Sequence, residues 1–356
     1  MKIHRMRHRY PLLLLLFIGG FLGEATGQDP YFSQYYAAPL QVNPAMTGVF
    51  EGRFRAALNY RQQWNSVLGS NPFRTVAGSF DMRYRIGRGD YLAYGINLLH
   101  DEVGQANFNQ DKGFLNLAYM KQLGGGRYST TDQYLIAGVQ VGGNQVSVDY
   151  GNLWFSSQFD AGTASIDYTL SNQEAMLTAV NQTYFDANVG LLWYALFADN
   201  MSLYAGAAMH HVNSPKLSFL GDDDIEVNRR YTVQVGGEIP LSRKELSLLP
   251  SAIFMSQGPS FISLFGGNFR YTNRDWREIA IRAGMWGHLA NGVDGASFNN
   301  MIFTAILELE KVDIGISYDV NTGRVSQPTN GRGGFELSMQ YKHPARARYR
   351  VDCPKF

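Results

Sequence analysis

The residues with chemistry to offer are few and scattered. Of seven histidines, His4 and His8 lie at the extreme N-terminus, and His100, His210, His211, His288 and His343 are spread along the rest of the chain. Neighbouring residues of a regular strand point to opposite faces, so His210-His211 is expected not to chelate one ion, and polar strand-end positions are the expected role. Cys353 is the only thiol, which excludes an internal disulfide and a thiolate zinc cluster. No histidine stands close enough in sequence to act as its base, leaving a buried thiol or an intermolecular bond. Asp222-Asp223-Asp224 with Glu226 offers oxygen ligands of the kind calcium takes, without the spacing of a defined calcium loop, and reads as a solvated turn. Arg88-Gly89-Asp90 uses residue types that turns favour. A G-x-S-x-G elbow, a P-loop and an H-E-x-x-H motif are all absent from the sequence. The residue types predict no catalytic site, no cofactor and no metal centre.

What remains is a chain built for position. Charged residues make up 17%, against about 25% in an ordinary soluble domain. Lys and Arg number 31 against 30 Asp and Glu, so no basic surface is available for nucleic acid. The first 27 residues read as a cleaved signal peptide, with Lys2, Arg5, Arg7 and Arg9 ahead of an apolar run from Leu12 through Leu22. Ala25-Thr26-Gly27 supplies the small residues before a cut at Gln28. The apolar run is shorter than the ~20 residues a spanning helix needs, and no cysteine follows it to accept lipid. Taking four basic residues and Glu24 from those totals leaves 27 basic and 29 acidic, a net charge of −2 on the exported chain.

Beyond the leader the sequence keeps returning to a period of two. In 54–61, Phe54, Ala56, Leu58 and Tyr60 share one face and Arg55, Asn59 and Arg61 the other. The same alternation recurs in 75–84, 312–319 and 335–342, with Asp81, Arg83, Asp313, Asp319 and Glu336 on the polar faces. Such alternation predicts half-buried strands. About fourteen segments qualify, close to the 9–11 residues that cross a bilayer when tilted. The connections 65–73, 101–113, 148–183, 214–230, 257–259, 289–299 and 321–334 are mostly long and 86–90, 124–133, 197–201, 240–245, 272–278 and 310–311 mostly short, with the three-residue 257–259 and the ten-residue 124–133 against the trend. Long loops on one side and short turns on the other are the asymmetry of an outer-membrane barrel. The expected fold is all-β: a transmembrane antiparallel up-and-down β-barrel of about 14 strands over 54–342. Segment 28–53, rich in Tyr, Pro and Asn, is expected in the periplasm or in the lumen as a plug, and 343–356 as a basic periplasmic tail. Mixed charges on the lumen face (Arg55, Arg61, Asp81, Asp186, Arg282 and Glu308 among them) favour a filled barrel.

Gln28-Asp29-Pro30-Tyr31-Phe32-Ser33-Gln34-Tyr35 followed by Asn43-Pro44-Ala45-Met46-Thr47-Gly48 resembles the opening of the PorP/SprF family of the type IX secretion system in Bacteroidota. Further similarities follow in order: Tyr60-Arg61-Gln62-Gln63-Trp64, His100-Asp101-Glu102-Val103-Gly104, Arg230-Tyr231, Gly315-Ile316-Ser317-Tyr318-Asp319, Gly334-Phe335-Glu336 and terminal Cys353-Pro354-Lys355-Phe356. The lysine associated with the stretch after Pro250-Ser251 is absent.

The resemblance implies an outer-membrane barrel that serves secretion or surface attachment of adhesins and gliding proteins. Its implied partners are the periplasmic ring and peptidoglycan-binding components of the machine, secreted surface proteins or their C-terminal domains, and outer-membrane lipid. For inner partners, Tyr31, Phe32, Tyr35, Asn43, Pro44, Arg346, Arg348, Arg350, Lys355 and Phe356 are the candidate contacts. The loops 148–183 and 214–230 are the candidates for surface partners. A diffusion porin is the alternative, and an outer-membrane hydrolase would need a Ser-His-Asp cluster at the outer rim.

Overall fold

The computed structural model describes residues 28–356 apart from 70, 88, 105–106, 126–130, 150–152, 154, 161, 168, 171–179, 198–200, 218–225, 242–244, 273–278, 293–294, 324–325, 345–352 and 354–355. The leader, Arg88, Asp222-Asp224 and tail residues Arg346, Arg348, Arg350 and Lys355 lie outside the described residues.

Fourteen strands close into one antiparallel barrel. In chain order β1 to β7 are Phe54–Gln63, Phe73–Ile86, Asp90–Val103, Phe108–Gly124, Asp132–Val148, Val180–Leu196 and Ser202–His210. β8 to β14 are Arg230–Pro240, Leu246–Gln257, Ser260–Thr272, Ala280–Gly292, Gly295–Glu308, Val312–Asn321 and Arg332–His343. Each strand pairs with its neighbours in sequence, and β1 pairs with β14 to shut the ring, Phe54 opposite His343 and Gln63 opposite Gly334. Closure leaves no unpaired edge, the condition for crossing a medium without water to satisfy backbone groups.

The period-two pattern sorts the two faces as the residues predict. Arg55, Asn59 and Arg61 of β1 are buried in the lumen while Leu58 stands exposed on the outer wall. Leu98, Leu115, Phe185, Leu191, Val233, Met285, Phe303, Leu337 and Met339 continue that exposed apolar wall around the ring, a belt that only lipid would cover.

The strand ends differ from the sequence-based boundaries. β3 and β4 stay paired out to Val103 and Phe108, so the expected loop 101–113 shrinks to 104–107. Likewise 289–299 shrinks to 293–294, because β11 and β12 pair through Gly292 and Gly295 after a bulge at His288 and Leu289. Polar residues there keep the ladder beyond the apolar band, and ladder bonds do not depend on side-chain hydrophobicity. The long connections 64–72, 149–179, 211–229 and 322–331 share one rim (the loop rim). The other, the turn rim, carries 87–89, 125–131, 197–201, 241–245, 273–279 and 309–311.

Candidate functional site

Residues 28–53 fill the lumen, threading from the loop rim to the turn rim before β1 begins. Short pieces of 3-10 helix (Tyr35–Ala37, Pro44–Met46) and one α-turn (Pro39–Val42) compact the segment. Compaction satisfies part of its own backbone, and the wall supplies the rest. Of the two placements open to 28–53, the lumen is the one observed.

At the loop rim Asp29 is the anchor. Its carboxylate meets Lys112 Nζ at 2.6 Å, His211 Nε2 at 2.8 Å and Arg230 Nη1 at 3.0 Å. Burial alone would raise the Asp29 carboxyl, but these three cations outweigh it and hold it well below the usual carboxylate range. Burial pulls the His211 imidazole the other way, yet Asp29 and Asp186, whose carboxylate lies 2.8 Å from Nδ1, bring it above its ordinary value. His210 and His211 do not point to opposite faces as a regular strand would place them. β7 ends at His210, and His211 at φ 56° folds back, so both rings are buried, His210 Nε2 lying 3.1 Å from the Val42 carbonyl.

Deeper in, the backbone N–H groups of Ser33 and Gln34 donate to the two oxygens of Glu336 at 2.6 and 2.8 Å. Arg61 donates to Glu336 at 2.8 Å and to Asp319 at 3.2 Å, and the Ser33 hydroxyl donates to Asp319 at 2.9 Å. Tyr35 and Tyr36 pack on Trp286, each at 5.7 Å between ring centroids, and Phe32 packs with Ala38, Ala77 and Leu99.

Asn43-Pro44-Ala45 sits in a notch made of glycine. Gly138, Gly190 and Gly206 face inward on the adjacent strands β5, β6 and β7, and a Cβ at the first two would overlap Pro44, Ala45 and Asn43. The Asn43 amide donates to the carbonyls of Leu191 and Ala207 at 3.1 and 3.3 Å, and its oxygen caps the Ala45 N–H at 2.9 Å. At the turn rim Gly48, at φ 79° against Ala93 where no side chain fits, donates to Asp81 at 2.8 Å. Arg55 pairs with Asp81 at 2.8 Å and donates to the Met46 carbonyl at 3.2 Å.

The C-terminus enters from the turn rim. Arg282 Nη1 donates to the Phe356 carbonyl at 2.7 Å, and the Phe356 ring meets Tyr204 at 4.7 Å. Cys353 is buried with its Sγ 3.0 Å from Arg83 Nη1. Of the candidate contact residues, Tyr31, Phe32, Tyr35, Asn43 and Pro44 are thus engaged with the barrel interior, and Phe356 with the turn-rim wall. The notch glycines and Lys112 were not singled out by sequence reasoning. Their signal is an inward-facing glycine at one level on three successive strands, visible only once register is known.

Two cavities flank the plug: one of about 780 Å3 at the loop rim and one of about 420 Å3 at the turn rim. They share no lining residue. Among the described residues no group of three or more His, Cys, Asp or Glu converges as a metal site would require.

A sealed, fourteen-stranded wall with this N-terminal motif has a counterpart among known families. The family model for type IX secretion system membrane protein PorP/SprF matches residues 24–341. The chain belongs to the PorP/SprF family. It is a type IX secretion barrel of the outer membrane. No match was found among curated proteins. Among solved structures, the chain is similar to the monoaromatic hydrocarbon channel TodX in a deltaS2 mutant, at 11% identity, 87% of this chain, 94% of that one and TM-score 0.47. The toluene transporter TbuX of Ralstonia pickettii is similar at 13% identity, 86% and 94% coverage and TM-score 0.46. Omp33 of Acinetobacter baumannii follows at 8% identity, 83% and 99% coverage and TM-score 0.38.

Proposed function

We propose that this PorP/SprF barrel is a non-enzymatic docking component of the type IX machine, closed to solutes by its own N-terminal segment. The observation that carries the reading is the plug, tied to the wall by ion pairs and hydrogen bonds to strands all round the ring, from Asp29 at one rim to Asp81 at the other. A diffusion porin keeps its lumen charges facing water to set ion preference. Here Arg55, Arg61, Arg282, Asp81, Asp319, Glu308 and Glu336 are buried in pairs with one another.

A rigid, filled barrel fixes the position of what projects from its rims. The loop rim, facing outside, presents 149–179 and 211–229 to secreted surface proteins or their C-terminal domains. The turn rim and the basic tail 343–356 face the periplasmic ring and the peptidoglycan-binding components. The leader 1–27 delivers the chain through a cleaved signal peptide. Two measurements test this. In planar bilayers the purified protein is expected to be silent, while deletion of 28–50 opens a conducting pore; steady conductance by the intact protein would restore the porin reading. Affinity capture from detergent-solubilised envelopes should bring down the periplasmic components, and their absence would sink the docking reading.

A further inference from the structure

The loop-rim cavity has a volume of about 780 Å3, within the ~300–1,000 Å3 typical of small-molecule sites. Asp101 of β3 lines it, at a level where the ladder has run beyond the apolar band, and is 8% exposed. The hydroxyl of Thr75, the residue opposite on β2, donates to Asp101 Oδ1 at 2.6 Å. Oδ2 has no donor among the described residues and is not sealed off, so it faces the cavity. The cations nearby are committed elsewhere: Lys112, His211 and Arg230 to Asp29, and Arg61 to Asp319 and Glu336. Asp101 therefore has no ion pair among the described residues. Burial pushes its carboxyl above the ordinary value, although the Thr75 hydrogen bond and the charges of Lys112, His100 and Arg61 pull the other way. Buried carboxylates are paired or lose their charge, so an oxygen left open to a cavity calls for a cation from outside the chain.

The rings at the mouth are the second sign. Gln110 stands opposite Asp101 on β4, and Phe108, two positions nearer the rim, stands opposite Val103. Phe73 is likewise two positions rimward of Thr75 and opposite Gln63 on β1. Two residues span about 7 Å of strand, so both rings lie one inward row closer to the outside than the carboxylate. Trp64 adds a third. It holds φ 61° and ψ 26°, a left-handed conformation that is an outlier for so bulky a residue, and its ring lies 4.9 Å from that of Phe73. All three rings line the cavity. A molecule entering from the rim meets an aromatic collar before it meets the acid.

We propose that the loop-rim cavity binds an alkylammonium group, the head of a polyamine or of a lysine side chain. A primary ammonium is a compact charge with three donors, one of which suffices for Asp101 Oδ2. Its alkyl stem packs along the collar as lysine stems do on apolar surface, and the negative faces of the rings favour the charge. A guanidinium fits less well, since its fork takes both oxygens of a carboxylate and Thr75 already holds one. A divalent metal ion takes six or more oxygens, and no group of three His, Cys, Asp or Glu gathers here among the described residues. A neutral chain would leave the carboxylate uncompensated.

The test is titration calorimetry of the full chain in an uncharged detergent at low salt. The probes are spermidine and a short acetylated peptide carrying one lysine, with n-butanol and calcium as comparisons. At least one of the two amines should bind. Asp101→Asn keeps an acceptor for Thr75 and removes the charge. It should weaken binding roughly tenfold or more, as expected for a hydrogen bond to a charged group, with thermal stability unchanged or raised. Phe73→Leu should weaken it roughly threefold or more. Leu117→Ala, on the outer wall, should leave it unchanged. Binding of spermidine alone assigns the site to free polyamines, binding of the peptide alone to a lysine of a surface partner, and binding of both to the ammonium group in either setting. Absence of binding by both amines, equal binding of n-butanol, displacement of the amine by calcium, or binding indifferent to Asp101→Asn overturns the proposal. None of these results bears on the silence of the pore or on capture of the periplasmic components.

Discussion

Glu336 is the most informative residue to remove. Its two oxygens accept the N–H groups of Ser33 and Gln34 as well as Arg61. Substitution by Ala orphans two buried amides and leaves Arg61 with Asp319. Hydrogen bonds to a charged group contribute about 1.5–3 kcal/mol each, so two of them place the loss of plug seating at roughly 3–6 kcal/mol. At tenfold per 1.4 kcal/mol, the unseated population rises by roughly 10²- to 10⁴-fold. Glu336→Gln keeps one acceptor oxygen and should recover about half of that free energy. Hydrogen exchange of a peptide covering 29–38 measures the unseating directly, and brief open events in planar bilayers report it independently. If exchange at Ser33 and Gln34 is the same in Glu336→Ala as in the parent, the claim that these bonds seat the plug is wrong.

The glycine notch gives a steric counterpart. Gly190→Val should expel Asn43-Pro44 and expose 38–47 to protease while β-strand content by circular dichroism stays unchanged; an intact, protected segment would refute the notch. The Asp29 cluster makes retention of residues 28–31 depend on pH. Asp29 titrates below its unfolded value, so its contribution is present above that value and lost as pH falls through the folded one. His211 titrates above its unfolded value, so its contribution is full below that value and lost as pH rises through the folded one. Protection of residues 28–31, the intrinsic exchange rate at each pH relative to the observed one, should therefore peak in the mildly acidic window between the two and fall toward alkaline pH, and His211→Asn should abolish that alkaline loss. Removal of 344–356 should leave the heat-modifiable barrel band on gels intact while reducing co-purification of periplasmic partners; undiminished co-purification would remove the tail from the docking surface.

The barrel was legible because its cause is local. Apolar residues at every second position of 54–61 and 335–342, opposed by a largely polar face, are enough to say which face meets lipid. The lumen charges were also readable as a group, since Arg55, Asp81, Arg61 and Glu336 lie on inward faces of strands. Their pairing was not, because it depends on which strands become neighbours: Arg61 and Glu336 meet only when β1 closes on β14. The plug left two placements open for the same reason, its partners standing up to 304 residues away in sequence. Loop lengths were overestimated at 101–113 and 289–299 because polarity there marks the end of the membrane, while the strands run on. His211 was misread because a positive φ at a strand end leaves no trace in residue type.

Arg61 and Glu336 face each other across the seam where the first and last strands join, and Ser33 and Gln34 sit on that pair. A seam shut on an empty interior would trap an arginine and two acids without the amides that complete their coordination. Seating of the N-terminal segment therefore completes the coordination at the join itself, coupling the cork to the contact that closes the ring.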